Sequence, residues 1–173
     1  MAIRMLHTLD RASSAAPIHA AVADIDLGSW FTSLTSDEFV AASPDHHGSH
    51  HARLPDGFPV FVASETIGDS FMTHHYVIEV MRPDHIRAVS AESSLWLPNG
   101  EVAPMRTTWE LTIEPYGERF SRLVSDVLAE SSHDLLVALT AQRLPDAPNS
   151  AQAHCAAETQ KLALDIERKL KLR

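Results

Sequence analysis

Two side chains near the start of the last predicted helix have types and spacing that could do chemistry. His154 and Glu158 stand four positions apart in HCAAETQKLALDIERKL, so a helix places them one above the other on one side. The stripe that contains Glu158 continues through Leu162 and Ile166, which a helix of this kind buries. An imidazole and a carboxylate on this side therefore point into the protein, where an unpaired charge would cost several kcal/mol.

A second pair follows from the predicted hairpin around Pro83. If Met81 pairs with His85, the larger apolar residues of both strands share one face, which we assign to a cavity under the last helix. In this register His74 faces Glu92 on the cavity side. The hairpin therefore predicts a sheet pair opposite the helical pair.

The register leaves alternatives open, because a shift of one residue exchanges the two faces of a strand. After such a shift His75 replaces His74 on the inner face. Glu65 is an alternative inward carboxylate, because the turn at Gly68 places it beside Met72. Tyr76 shares the predicted inner face with His74 and could orient a phenolic or carbonyl substrate.

Together, His74, Glu92, His154 and Glu158 would bring two imidazoles and two carboxylates into one cavity. Zn²⁺ accepts nitrogen and oxygen ligands at about 2.0–2.2 Å, and two carboxylates would neutralise its charge. We therefore expect a divalent metal, with zinc as the first choice and manganese or iron as ions that tolerate the same ligands. An open coordination position would leave room for a water molecule and a substrate carbonyl.

Other conspicuous residues receive structural interpretations. The tract PDHHGSHH is rich in histidine, but it lies at a predicted helix-to-strand junction where solvated side chains are common, so we expect no metal role for His46, His47, His50 and His51. Cys155 is interpreted as a small buried apolar residue. The three tryptophans are expected in the core or the cavity wall: Trp30, Trp96 and Trp109.

The elements that must position these residues follow a simple order. A strand is predicted over 18–26 and is followed by two short helices, then by six antiparallel strands between 50 and 131, and last by a helix over about 149–170. The predicted helix caps are Ser29, Thr35 or Ser36, and Asn149 or Ser150. An α+β fold follows, in which the sheet covers one face of the long helix.

This order of elements over residues 18–170 resembles the START/Bet v1-like superfamily, the SRPBCC or helix-grip proteins. The resemblance implies a curved seven-stranded antiparallel sheet wrapped around a long C-terminal helix, with two short helices after the first strand. It also implies an internal hydrophobic cavity and a small apolar or aromatic ligand as the partner.

A narrower resemblance rests on the helical pair His154 and Glu158 together with a His and a Glu on the sheet. This set is similar to that of the 2,4-diacetylphloroglucinol hydrolases, which bind zinc through two His and two Glu and hydrolyse a carbon–carbon bond beside an aromatic ketone. His74 and Glu92 are the best matching sheet pair. The present chain is shorter, its sheet residues lie closer in sequence, and the phenol-binding residues of that family have no individual match.

Three functions follow as hypotheses. The first is a metal-dependent hydrolase or lyase that acts on an aromatic or polyketide-like ketone. The second is a metal-free carrier of an apolar ligand. The third is a polyketide cyclase or dehydratase in which His74 and Tyr76 exchange protons with the substrate without a metal. We lean towards an enzyme, and metal analysis of untagged protein separates the first hypothesis from the others.

Composition limits the remaining possibilities. The 173 residues suit one domain, which we place at 18–173 after a flexible tail over 1–17. The net charge of −9 argues against nucleic acid as a partner, and no apolar run reaches membrane-spanning length. One cysteine permits no internal disulfide, so a cytoplasmic location is expected. The sequence leaves a homodimer open.

Overall fold

The computed structural model describes residues 6–97, 99–132, 134 and 150–172. Seven strands form one antiparallel sheet in the order β1-β7-β6-β5-β4-β3-β2. The strands are β1 (Leu6–Ile18), β2 (His46–Arg53), β3 (Pro59–Ile67), β4 (Ser70–Met81), β5 (His85–Trp96), β6 (Val102–Pro115) and β7 (Ser121–Ser132). The helices are a 3₁₀ turn at Val22–Asp24, α1 (Leu27–Thr32), α2 (Ser36–Ala42) and α3 (Ser150–Leu170).

The long helix α3 lies on the inner face of the curved sheet, along β1 and β7 and against α2. Its stripe residues Leu162 and Ile166 are 1% and 2% exposed and join one core with Phe31, Phe61 and Trp109. The predicted α+β helix-grip architecture is confirmed. Among the described helices, none has both the length and the apolarity needed to cross a membrane.

The first strand begins earlier than the sequence suggests. Strand β1 pairs with β7 from Leu6 opposite Ser132 to Ile18 opposite Ser121. The prediction of a flexible tail over 1–17 is therefore wrong from residue 6 onward, and residues 1–5 lie outside the described residues. The prediction of a strand over 18–26 is also wrong, because β1 ends at Ile18. The segment is rich in serine and alanine, which have low strand propensity, but pairing along β7 outweighs this preference. Ala12 and Ala16 are both 2% exposed, in the strand that α3 covers.

The helix starts agree in part with the predicted caps. Thr35 forms a capping box with Glu38 at the start of α2, as the sequence suggests. Helix α1 is capped by the Asp26 carboxylate, which accepts a hydrogen bond from the amide of Ser29, so Ser29 is inside the helix and is not its cap. Helix α3 starts at Ser150, and the alternative cap at position 149 lies outside the described residues.

Strand register follows the prediction over part of the hairpin around Pro83. Val77 lies opposite Val89, and the exposed ion pair between Arg87 and Glu79 has a nitrogen–oxygen distance of 3.0 Å. Near the turn, however, the register shifts by one residue, and Met81 lies opposite Ile86 rather than His85.

A second shift, in the middle of β5, decides which residues face the cavity. The pairing of β5 with β6 changes between Ser90 and Ser93, and its pairing with β4 changes between Val89 and Ser94, so one extra residue is accommodated at Ala91 and Glu92. Such a β-bulge reverses the alternation of faces along a strand. Both bulge residues are exposed, and Ser93 takes the inward position opposite His74. The prediction that Glu92 faces the cavity is therefore wrong.

Candidate active site

Four side chains from three elements meet beneath the first turns of α3, and we call them the His/Glu cluster: His46 of β2, Glu65 of β3, and His154 and Glu158 of α3. The Nε2 atom of His46 lies 3.4 Å from Oε1 of Glu158 and 3.5 Å from Oε2 of Glu65. The Nε2 atom of His154 lies 3.3 Å from the same Oε2 of Glu65. Ligand atoms of His46, His154 and Glu158 all lie within 4.8 Å of one another, which suits one metal ion.

The environment of His46 fixes the direction of its imidazole. Its Nδ1 atom lies 2.6 Å from the carbonyl oxygen of Phe39, which can only accept, so Nδ1 carries the hydrogen. The ring is fully buried and stacks on Phe39 at a centroid distance of 3.8 Å. Its Nε2 atom is buried without a hydrogen bond, although it is directed towards Glu65 and Glu158. Burial lowers the pKa of His46, but Glu65, Glu158 and the Phe39 carbonyl raise it above its usual value, because a neutral imidazole would present a lone pair to two carboxylates.

The imidazole of His154 is oriented in the same way, with Nδ1 towards other protein groups and Nε2 towards the cluster. Its Nδ1 atom lies 3.1 Å from the carboxylate of Asp45 and 3.3 Å from the hydroxyl of Ser43, while Nε2 is directed towards Glu65. Metal-bound imidazoles in proteins usually donate their outer N–H to a carboxylate or a carbonyl, which fixes the tautomer and the ring direction. Both imidazoles of the cluster are therefore oriented as metal ligands are.

The side chains of the His/Glu cluster shift one another's pKa values. Burial raises the pKa of Glu65, but the neighbouring imidazoles of His154, His46 and His74 outweigh it and hold the pKa well below its usual range. Burial and the charge of Glu65 raise the pKa of Glu158 to about 7, against the opposing effect of the two imidazoles. Burial lowers the pKa of His154, but Glu65 and Glu158 raise it to about 9. A divalent cation could replace the protons that the cluster holds at neutral pH.

The predicted ligand set is only partly assembled. His154 and Glu158 are buried and face inward, as the helical spacing predicts. His74 is also buried, but its Nε2 atom contacts Oε1 of Glu65 at 2.9 Å and it stands behind that carboxylate. Glu92 is exposed in the β5 bulge, and Glu65 provides the sheet carboxylate beside Met72, where the Gly68 turn was expected to place it. The alternative His75 is exposed.

The expectation that His46 is a solvated residue of the histidine tract is wrong. His46 is buried in the cluster, whereas His47 and His50 are exposed. A register shift between His46 and Gly48 of β2 turns His46 inward opposite Glu65. The only sequence signal was the composition of the tract, and composition does not show which histidine precedes a bulge.

A cavity of about 250 Å³ lies between α3 and the sheet. Glu65, His154 and Glu158 line one part of it, and His46 lies directly behind them. The rest of the wall is largely apolar and includes Leu9, Met72, Leu95, Met105, Trp109, Val127 and Ala129. The site is therefore an apolar chamber with one strongly polar end.

Tyr76 and Trp109 belong to the cavity wall. Tyr76 is 4% exposed and stacks on His74 at a centroid distance of 5.0 Å. Burial and the charges of Glu65 and Glu158 raise the pKa of Tyr76 well above its usual value, so its hydroxyl stays protonated and can donate.

The other aromatic and thiol predictions have mixed outcomes. Trp30 is in the core, Trp109 is in the cavity wall, and Trp96 is 45% exposed, which contradicts its expected burial. Cys155 is 1% exposed, and its thiol contacts the carbonyl of Ser125, which confirms a buried residue.

Comparison with family models of known proteins gives no match, and comparison with curated proteins gives none either. Comparison with solved structures gives many. A START superfamily protein from Mycobacterium smegmatis is 14% identical, with a TM-score of 0.54 over 94% of this chain and 97% of that one. The Zhui aromatase/cyclase from Streptomyces sp. R1128 is 9% identical, with a TM-score of 0.56 over 98% and 97%. A truncated norcoclaurine synthase from Thalictrum flavum is 13% identical, with a TM-score of 0.52 over 94% and 98%.

These similarities extend over nearly the whole chain, while the sequence identities are low. They establish the fold, which is the START/Bet v1-like helix-grip fold, and a fold alone does not assign an activity.

Proposed function

We propose that this protein is a small-molecule enzyme that takes one compact, mostly apolar molecule into the cavity and acts on a carbonyl or phenolic oxygen at the His/Glu cluster. One observation carries the proposal. Glu65, His154 and Glu158 line the polar end of an otherwise apolar chamber, so a bound ligand would present its polar atoms to them. The fold is shared with an aromatase/cyclase and a norcoclaurine synthase, which is consistent with small-molecule chemistry in such a cavity.

The size of the cavity and the charges of its lining limit the ligands that can bind. An apolar cavity of about 150 Å³ can hold benzene. The present 250 Å³ therefore suits a single aromatic ring with small substituents, such as a phenolic ketone. Among the described lining residues, Arg11 is the one Lys or Arg, and it is exposed. We therefore expect a ligand without a carboxylate or phosphate at the end that enters the cavity, because no described Lys or Arg is buried there and the carboxylates of Glu65 and Glu158 would repel an anion.

The geometry favours a metal-dependent form of this chemistry, in which His46, Glu65, His154 and Glu158 hold one divalent ion. The buried Nε2 atom of His46, which has no hydrogen bond, supports this ligand set in place of the predicted His74 and Glu92. Two carboxylates neutralise a dication, and zinc is the first choice. When bound, the ion would polarise a carbonyl, as hydrolysis or cleavage of an aromatic or polyketide-like ketone requires. Tyr76 would donate a hydrogen bond that orients the substrate oxygen.

A metal-free cyclase or dehydratase is the second candidate, and the pKa of Glu158 favours it. A carboxyl group whose pKa is about 7 can both give and take a proton at neutral pH. In this form Glu158 and His154 exchange protons with the substrate, in place of the predicted His74, whose two ring nitrogens contact Glu65 and Ser93. Tyr76 would orient the substrate. The aromatase/cyclase among the similar structures is consistent with this candidate.

Elemental analysis of untagged protein, purified without chelator, tests the two forms. We expect about one zinc per chain in the wild type and a loss of most of it in His46→Gln. The matched control is His50→Gln, because His50 belongs to the same tract but is exposed. A wild type without bound metal would overturn the metal-dependent form.

A panel of substituted phenyl ketones and phenols then tests the enzyme proposal by thermal shift and by product analysis. Binding with turnover in metal-free protein supports the cyclase or dehydratase. Binding without turnover, with and without added zinc, would overturn the enzyme proposal in favour of a ligand carrier.

A further inference from the structure

We propose that His74, Ser93 and Thr107 form a positioning chain that holds one oxygen of Glu65, so that only the other oxygen is presented to a metal ion. The inference rests on the metal centre of the proposed function and deepens it. It assigns His74 a role as a positioning residue, and not as a ligand.

The observation behind it is a division between the two oxygens of Glu65. Oε1 accepts a hydrogen bond from Nε2 of His74 at 2.9 Å. Oε2 lies 3.5 Å from Nε2 of His46 and 3.3 Å from Nε2 of His154. Because a carboxylate that ligates a metal is ionised and can only accept, His74 must supply the hydrogen of the short contact. Oε1 is therefore held by His74, and Oε2 is directed at the imidazoles of His46 and His154.

The chain behind His74 continues across three neighbouring strands. The Nδ1 atom of His74 in β4 lies 2.9 Å from the hydroxyl of Ser93 in β5, and this hydroxyl lies 3.2 Å from that of Thr107 in β6. The exposed fractions of the three residues are 1%, 1% and 3%. Both ring nitrogens of His74 are therefore engaged, and its stacking on Tyr76 restrains the plane of the ring.

The β5 bulge makes this chain possible. If this sequence continued as a regular strand without the bulge, Glu92 rather than Ser93 would stand opposite His74. A second carboxylate there would compete with Glu65 for the imidazole. Ser93 instead supplies a neutral partner of the right size, which leaves Glu65 as the one anion that His74 contacts among the described residues.

The function of the chain is to fix the coordination of Glu65. A carboxylate with one oxygen occupied binds a metal through its other oxygen, whereas a released carboxylate can rotate and bind through both. Partners of this outer kind typically change metal affinity about 10–100-fold when they are removed. The loss of His74 should therefore weaken metal binding and also change the number of oxygen ligands.

The test compares variants of two adjacent histidines in cobalt-loaded and zinc-loaded protein. His74→Phe removes the donor, His74→Gln keeps an amide donor, and Ser93→Ala removes only the partner behind His74. The matched control is His75→Gln, because His75 follows on the same strand but is exposed. Zinc affinity is measured by competition with a chromogenic chelator, and coordination number is followed by the intensity of the visible cobalt bands.

We expect about a 10–100-fold loss of zinc affinity in His74→Phe with weaker cobalt bands, as for a higher coordination number. We expect partial recovery of both in His74→Gln, a smaller change in Ser93→Ala and none in His75→Gln. Wild-type affinity and spectrum in His74→Phe would overturn the inference. If that variant does not fold, unchanged affinity and spectrum in both His74→Gln and Ser93→Ala would overturn it. A wild type that binds neither metal would overturn the metal centre and the inference together, and that outcome is visible before any variant is made.

Discussion

The two halves of helix α3 use the same buried stripe in different ways. In the second half Leu162 and Ile166 pack in the apolar core with Trp109. In the first half His154 and Glu158 are almost as deeply buried, with exposures of 8% and 5%, but they face a cavity and other ionisable groups. The second half therefore stabilises the fold, while the first half lowers its stability because it buries ionisable groups beside a cavity. The two halves should respond to mutation in opposite ways.

The largest expected effect is on metal binding by the first half. Glu158→Gln keeps the size of the side chain but removes a ligand charge, so zinc affinity should fall by more than the roughly 100-fold that marks the loss of a strong outer partner. Metal content by elemental analysis and turnover of any substrate found should both fall. The melting temperature of the metal-free protein should stay level or rise, because a buried carboxyl is removed. A variant that retains full zinc content would contradict the ligand role.

The second half should show the reverse. Leu162→Ala leaves a cavity beside Ile166 and should lower the free energy of unfolding by about 2–5 kcal/mol in denaturant titrations. Zinc affinity, measured where the variant is still folded, should change little. Leu164→Ala is the control on the same helix, because Leu164 is 58% exposed. A loss below about 0.5 kcal/mol, typical of a surface change, would mean that the stripe does not support the core.

The pH dependence of stability sharpens the comparison. The pKa of His154 is raised from 6.5 to about 9 in the folded protein, so its stabilising contribution is complete below pH 6.5 and is lost as the pH rises through about 9. The metal-free protein should therefore lose on the order of 3 kcal/mol of unfolding free energy between pH 6.5 and 9. Urea titrations in chelator measure this loss, and His154→Gln should remove most of it.

Zinc should oppose this loss, because deprotonated ligands bind the ion more tightly as the pH rises. The same titrations with zinc should give a flatter or a rising profile. If the metal-free wild type has the same stability at pH 6.5 and 9, then His154 is not coupled to the carboxylates as described.

The smallest expected effect concerns the cavity wall. Tyr76→Phe removes a single hydroxyl donor and should weaken a phenolic or ketone ligand by about 0.5–1.5 kcal/mol, which is roughly a 2–10-fold increase in its Kd. Isothermal titration with a ligand found in the panel measures the change, and Tyr116→Phe, at an exposed tyrosine, is the control. An unchanged Kd would mean that the Tyr76 hydroxyl does not bind the ligand and that Tyr76 only packs in the cavity wall.

The helical half of the site could be predicted from the sequence because its geometry is local. Residues four apart on a helix share a face whatever surrounds the helix, so His154 and Glu158 followed from their spacing together with Leu162. The order of elements likewise predicted the helix-grip architecture, because tight turns and one long amphipathic helix leave few ways to cover a sheet.

The sheet residues of the site, His46 and Glu65, could not be predicted from local spacing in this way, because the residues that face inward on a strand depend on its register. Two bulges, at 91–92 in β5 and next to His46 in β2, reverse the alternation of faces, and neither has a clear local signature. This is why Glu92 was chosen and His46 was not. Strand β1 was also missed, because its serine- and alanine-rich sequence becomes a strand only by pairing with β7.

The β5 bulge also has a consequence for how this chain tolerates insertions and deletions. Ser90 and Ser93 both face inward and are separated by two exposed residues, where regular alternation would allow only one. Removing either Ala91 or Glu92 would restore the regular alternation and keep Ser93 opposite His74. A deletion elsewhere in β5, for example at Ala88, would exchange the inward and outward residues over part of the strand. Homologous chains that lack one residue between these serines can therefore keep the same cavity wall, and an alignment that places the gap elsewhere would compare inward residues with outward ones.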